Sequence, residues 1–541
     1  MVSEYGVLKL HSSRQKHTKA MSAIPSKTKQ RNIMSAFVTK GVMSKNKVVT
    51  ATEIKLAGFL VEHNIAFQTA DHMSDLINGI LEDFGVEHKI AMKRTKATAV
   101  ITEVIGESEK SSLDKKLKTE KFSVMPDEST DVSTHKASCI IVRYYDVEEN
   151  KIVSKFWDLC KIFSSDDEKT AEEDGCNVMM GGNNSVASRL KKNLPGMFVM
   201  KCVCHSAHLC ASESCKQLPR RCEDLAREIY SFFKNSSKRQ FRLQQFQEFV
   251  SASPHKILHP SQTRWLSLVV VVDRLLEQWD ALKLFFTDCW LNERLVSTEL
   301  IFNSLNDPFM QLYYLFLSWI LPKFTNFNKL FQSEKVVITC LNEKVREMYK
   351  DILLCILDRD YVNKTELSTI DIERQEKWLK DDQIYLGIRV MNKITQPEFR
   401  RQIPATKEFF HRCRHFLVTS AKEIKKRYNL DDPILSKIDC IEPTNAVACN
   451  YRNKVPTLQP LLILVPRIVK PDDIQMMQAI DDEWRSFPNI LDKIDLSLNT
   501  DEFWGIIKKQ FENYKTLTQF TLNLLCLPHS SADCERAFIH S

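Results

Sequence analysis

From about Pro219 to Asn499 the apolar residues recur at three- and four-residue steps, the spacing of one face of an α-helix. Leu225, Ile229, Phe232 and Phe233 mark one helix. Leu275, Leu276, Trp279, Leu282 and Phe286 mark another, over Leu268–Trp290. A run this long restricts the middle of the chain to helix packed on helix. Only 12 glycines in 541 residues leave little room for tight hairpins. A chain this long exceeds one ordinary core, so two to four domains are expected. Its 43% hydrophobic and 27% charged composition is that of a globular protein and excludes disorder over most of the length.

The period changes between Phe122 and Phe163. Phe122–Met125, Cys139–Tyr145 and Lys151–Phe163 are apolar, β-branched or aromatic, with an acidic turn at Asp146–Asn150. This predicts three consecutive antiparallel strands. A fourth, Phe198–Cys204, is expected to run into a helix near His205. Upstream, Ile54, Ala57, Val61 and Ile65, widened by Leu56 and Leu60, predict a helix. A second is predicted by Met73, Leu76, Ile77, Ile80 and Leu81. Near the end a long helix is expected from an N-cap at Thr500, with the stripe Phe503, Ile507, Phe511, Tyr514, Leu517, Phe520 and Leu524. Pro528 ends it, and Ser530 or Ser531 caps a last short helix.

Charge is unevenly placed. Residues 1–50 carry ten Lys/Arg against one acid, Glu4, in a chain of net charge +7. A basic arm on a near-neutral body points to nucleic-acid binding or nuclear import, or to a solvated tail. No apolar run reaches the roughly 18–20 residues that span a bilayer, and Leu312–Leu321 reads as a buried helix. Residues 1–20 lack the apolar stretch of a secretory signal, so the 16 scattered cysteines are expected to be reduced thiols, mostly filling core.

Five strings stand out: DESTD at 127–131, DGCNVMMG at 174–181, CVCHSAHL at 202–209, QTRW at 262–265 and SSADCERAF at 530–538. Taken singly each has a plain reading. Asp127 and Asp174 are turn residues, Glu535 a solvated helix position, Trp265 a core residue, and Cys202, Cys204, His205 and His208 half-buried packing. In this order, together with NSVASRLK (184–191), RLLEQWDALKLFF (274–286) and LPHSSADCERAF (527–538), they resemble the hAT superfamily of DNA transposases. The likeness is to domesticated or decayed animal members with a BED-type zinc finger.

The resemblance implies a mixed α/β, mostly helical chain. Its ribonuclease-H-like α/β domain is interrupted by a large all-α insertion. Residues 1–20 correspond to a finger remnant, 21–49 to a basic linker and 50–120 to a helical N-terminal region. Residues 121–218 correspond to the first part of the ribonuclease-H-like domain and 219–499 to the insertion. Residues 500–541 correspond to the dimerisation region that completes the domain. By motif match the catalytic carboxylates are Asp127, Asp174 and Glu535, whose family role is to hold two Mg²⁺ (or Mn²⁺) ions about 3.5–4 Å apart. Arg264 and Trp265 fall on the DNA-contacting tryptophan motif, and Cys202 with His205 on a Cys-x-x-His beside the active site. The implied partners are DNA and further copies of the chain, with no membrane, in the nucleus.

This chain departs from the pattern. Phe163 and Asp174 are separated by SSDDEKTAEE, where Ala171 is the one apolar residue, so the strand that should place Asp174 beside Asp127 is missing. His11 and His17 match the finger's histidine half, but no Cys-x-x-Cys precedes them, and two histidines alone do not close a zinc site. The family continues with helix where this sequence stops after ERAF. The expectation is therefore a transposase-derived nuclear protein that binds DNA and self-associates without catalysis. The alternatives are an active transposase cutting strands with Mg²⁺, and a helical interaction scaffold with no DNA role.

Overall fold

The computed structural model describes residues 45–86, 89–130, 136–161, 185–260, 268–294, 296–488 and 495–540. The finger remnant with His11 and His17, the linker as far as residue 44, Asp174, and Arg264 with Trp265 lie outside the described residues. Among the described residues the chain is mixed α/β and mostly helical, with one small antiparallel sheet. It divides into two units, Met1–Thr119 and Glu120–Ser541.

In the first unit α1 (Lys45–Glu62) and α2 (Thr69–Asp83) are followed by α3 (Arg94–Ala99). The last passes through a π-helical turn (Val100–Gly106) into α4 (Glu107–Thr119). The fully buried Ala57, Ala70 and Ala97 let the helices approach closely around Leu60 and Met92. Buried Glu53 accepts from the Ala91 N–H at 3.0 Å and from Lys96 Nζ at 2.7 Å. Asn78 pairs both ways with the Ile90 backbone, at 2.8 and 2.9 Å. The predicted stripes are rotated in part. Val61, Leu76 and Ile80 are exposed, while Ile54, Ile65, Met73, Ile77 and Leu81 pack on the core.

The second unit opens with β1 (Phe122–Thr130), β2 (Lys136–Asp146) and β3 (Lys151–Lys161), antiparallel in the order β1-β2-β3. β1 runs five residues past its predicted end at Met125, so Asp127 lies within the strand, opposite Cys139. The β2–β3 turn closes because Asp146 Oδ1 accepts the N–H groups of Glu148 (2.9 Å) and Glu149 (3.2 Å). A register shift between Ile140 and Ile141 leaves Trp157 as the extra residue of a bulge, since Asp158 pairs with Ile140 and Phe156 with Ile141. The expected fourth strand is absent: residues 197–202 are irregular, and α5 (Val203–Cys215) begins at once. Phe198, Met200 and Cys202 do alternate inward, against the core, but without a strand to pair with.

Helices form the rest. They include α6 (Arg221–Phe233), α7 (Ser237–Phe249), α8 (Leu268–Glu277), α9 (Trp279–Glu293), α10 (Pro308–Phe331), α11 (Leu341–Ile356), α12 (Ile403–Arg427), α13 (Ile474–Ser486), α14 (Thr500–Gln510), α15 (Lys515–Leu525) and α16 (Ala532–His540). The single helix expected over Leu268–Trp290 is broken at Gln278. Its fully buried amide turns aside to bond Ser253 O at 3.0 Å and to accept from Gln247 at 2.8 Å. The long C-terminal helix is likewise two, divided at Phe511 (φ −127°, ψ 92°), and its N-cap is Asn499 rather than Thr500. There the Glu502 carboxylate accepts the Asn499 N–H at 3.3 Å.

The core runs around α10, which carries Leu312, Phe316, Ile320, Leu321 and Phe324 at zero exposure, so the Leu312–Leu321 run is buried as expected. Asp307 caps it and Pro308 takes its first position. Gly387 (φ +92°) lies against Trp319 of this helix, where a Cβ would stand 2.6 Å from the ring. No described helix is long and apolar enough to cross a membrane. The body's other end is anchored by Trp504, fully buried, stacked on Phe487 at 5.0 Å and donating to Ile441 O at 2.8 Å. Trp504→Ala should cost about 3–5 kcal/mol by opening a cavity, read as an earlier urea-unfolding transition. Trp504→Phe, which keeps a ring but strands the Ile441 carbonyl, should cost less, about 1–3 kcal/mol.

Candidate functional site

The sheet sets one of the sequence-predicted carboxylates, Asp127, on the face that meets the helix carrying another, Glu535. Residues directly opposite in an antiparallel pair share a face, so Met125, Asp127, Cys139 and Ile141 point to one side of β1 and β2. On that side lies α16. Cys534 packs with Met125, Cys139 and Ile141, and its Sγ donates to Met125 O at 3.1 Å. Burial raises the Cys139 and Cys534 thiols, and the charge of Asp127 raises both further. Asp127 is thus close to the helix residue immediately before Glu535. Glu535 is half-buried and contributes, after the Cys202 hydrogen bond, burial and the Cys202 charge, to raising the Cys204 thiol. The Glu535 charge is thus felt at the start of α5.

A buried charge cluster fixes this helix. Arg143, two residues along β2 from Ile141, is 5% exposed and sits 3.8 Å from Asp533. Arg536 also pairs with Asp533 and donates to Gln332 O at 2.8 Å. Ser530 Oγ donates to Phe331 O at 2.7 Å, which ties the approach to α16 to the end of α10. Arg143 Nε and Nη2 have no hydrogen-bond partner among the described residues, nor has His529 Nδ1. Burial, with Arg143 and Arg536 adding and Asp533 opposing, pushes the His529 imidazole down to about 3. It is neutral at ordinary pH.

The Cys-x-x-His pair is built differently from a metal site. Cys202 is the N-cap of α5, its Sγ accepting the His205 N–H at 3.5 Å and the Ser531 N–H at 3.4 Å. A thiol hydrogen bond from Cys204 and these bonds pull the Cys202 thiol down to about 5, against burial. One sulfur so joins the first turns of α5 and α16. His205 is exposed and faces His208, ring centroids 6.4 Å apart. Among the described residues no three His, Cys, Asp or Glu side chains converge on a common metal position. Asp127 and Glu535 supply oxygen donors of the kind Mg²⁺ takes. They are two of the three carboxylates the resemblance implies, because Asp174 lies outside the described residues.

The sequence reading missed Arg143, His529, Asp533 and Cys534. Arg143 was visible as the one charge inside the apolar strand CIIVRYY, and Asp533 with Arg536 as an i,i+3 pair. No protein-family model matches this chain, and no curated protein matches it.

His529 gives the site a pH signature. The unfolded imidazole, near 6.5, binds a proton that the folded one refuses down to about 3. Its stabilising effect is complete above about pH 6.5 and is lost as pH falls, at up to about 1.4 kcal/mol per unit. Between pH 6.5 and 4.5 the native chain should lose about 2–3 kcal/mol more urea stability than His529→Gln. Parallel losses in the two proteins would assign the pH dependence to other groups.

Proposed function

We propose that this chain is a transposase-derived nuclear protein that binds DNA and self-associates without cutting it. Its sheet and C-terminal helix are then parts of an incomplete ribonuclease-H-like domain. The observation that carries the reading is the placement of Asp127 mid-strand under the helix that bears Glu535. The described sheet has three strands, and the polar stretch SSDDEKTAEE before Asp174 offers no apolar strand to extend it. A two-metal site needs its ligands held to within about half an ångström. A sequence that offers no strand to seat Asp174 beside the other two carboxylates does not meet that need.

DNA binding rests on the basic arm of residues 1–50 and on Arg264 and Trp265. A tryptophan stacked on a base adds about 1–3 kcal/mol without reading sequence. Self-association is assigned to the C-terminal region. The active enzyme remains the second reading, favoured by the shared face of Asp127 and α16.

The experiment is a strand-cleavage assay with Mg²⁺ or Mn²⁺ alongside DNA binding over a salt series. The expected result is no metal-dependent product, with binding that weakens as salt rises and falls on deleting residues 1–50 and changing Trp265→Ala. A product that disappears in Asp127→Ala and Glu535→Ala would establish the active enzyme instead. Absence of any DNA binding would leave the interaction scaffold.

A further inference from the structure

The first unit has a helix face that its own core does not use. α2 turns Ala70, Met73, Ser74, Ile77 and Leu81 to that core. Its rotation is fixed there, because Ser74 Oγ donates to Met92 O and Asn78 pairs with the Ile90 backbone. The opposite face is open. At 3.6 residues per turn His72, Leu76, Gly79, Ile80 and Asp83 fall within about 100° of arc, pointing away from Ala70, Ser74 and Leu81. All five are exposed. Leu76 is 66% exposed, and Phe84, which follows the helix on the Ile80 side, is 80% exposed.

Two features of this face have no use within the chain itself. Glycine weakens a helix interior, yet a Cβ at Gly79 would meet nothing within 4 Å, so the packing of the described chain does not require it. The charges divide in the same way. Asp71, Asp75 and Glu82, on one flank of α2, pair with Arg94, Lys93 and Lys89. His72 and Asp83 have no ion pair or side-chain hydrogen bond among the described residues.

The face is complementary to itself. Around a two-fold axis each residue meets its mate at the mirrored position of an identical helix. One antiparallel alignment sets His72 against the partner's Asp83 and Leu76 against the partner's Gly79, each twice. Both pairs fit the same alignment because they share a midpoint, between Ile77 and Asn78. The missing side chain at Gly79 is then a notch that receives Leu76 and lets the helices approach to about 8 Å, the near end of the usual range. Ile80 and Phe84 close one edge of the seam, and the ion-paired flank borders the other. We propose that α2 is a self-association surface that pairs antiparallel with α2 of a second copy. This rests on the self-association reading above and adds a contact within residues 69–84 to the one assigned to the C-terminal region.

The test is sedimentation equilibrium of the full chain from about 1 to 100 µM. Leu76→Asp should weaken the dimer at least about 100-fold, since each copy places a charge in the seam. Gly79→Leu should weaken it at least about tenfold, although it adds apolar surface and favours helix. His72→Asp alone should weaken it about tenfold by setting like charges face to face, and His72→Asp/Asp83→His should restore native affinity. All these positions are exposed, so circular dichroism should match the native chain. A dimer that Gly79→Leu leaves as tight or tightens, or that the double exchange fails to restore, would overturn this alignment. If every variant dimerises like the native chain, the α2 seam is wrong and self-association elsewhere stands. If the native chain is monomeric throughout, a second copy is the wrong occupant and both readings fall.

Discussion

A helix this heavily apolar has to be surrounded on most of its sides, and α10, whose polar edge is Ser318, Lys323 and Lys329, is such a helix. Its 24 residues place Phe309 against Phe399, Tyr313 against Phe409, Tyr314 against Trp279 and Phe316 against Phe416, with ring centroids 5.0–5.4 Å apart. These contacts recruit α9, the residue Phe399 and α12, so the helical body is arranged around it. Burying one such ring contributes about 1.5–3 kcal/mol before the preference for edge-on geometry is added. The requirement extends to polar groups. Tyr314 Oη gives its proton to Cys222 O at 2.7 Å, since an unmet hydroxyl there would cost about 1–3 kcal/mol.

The same helix carries order from the body to the sheet. At its C-terminal end Asn328 Nδ2 donates to Cys204 O at 3.3 Å, Phe331 O receives Ser530, and the following residue, Gln332, receives Arg536. Tyr428, just past α12, adds a bond to Val203 O at 2.6 Å. The start of α5 and the start of α16 are thus held by one rigid neighbour, and Cys202 bridges them. Glu535 inherits its position from this frame, Asp127 from β1. The docking of α16 on β1 is a consequence of packing between residues more than 400 apart in sequence.

Charge near this junction is handled by burial as much as by pairing. Arg143 has a carboxylate within 4 Å but two nitrogens without a partner among the described residues. Removing one member of such a cluster costs more than the cluster contributes, because a stranded buried charge is the expensive state. His529 escapes the difficulty by staying neutral. These groups tie α16 to the sheet.

Local pattern was enough for the kinds of element: the helical middle, the three strands and the β2–β3 turn all follow from the spacing of apolar residues and from Asp146. It also picked out Leu312–Leu321 as core. Boundaries and faces were less legible. The break at Gln278 depends on Gln247 and Ser253, and the inward alternation of Phe198, Met200 and Cys202 had no strand to meet. Asp127 and Glu535 could be chosen from their strings, but not their shared neighbourhood, which needs the register of β1 on β2 and the docking of Cys534. Sequence alone determined most of the segments that are helix or strand, though not Phe198–Cys204, because hydrophobic period is a local property. The tertiary structure alone decided which side chains meet, because buried hydrogen bonds and ion pairs join residues whose separation along the chain carries no signal.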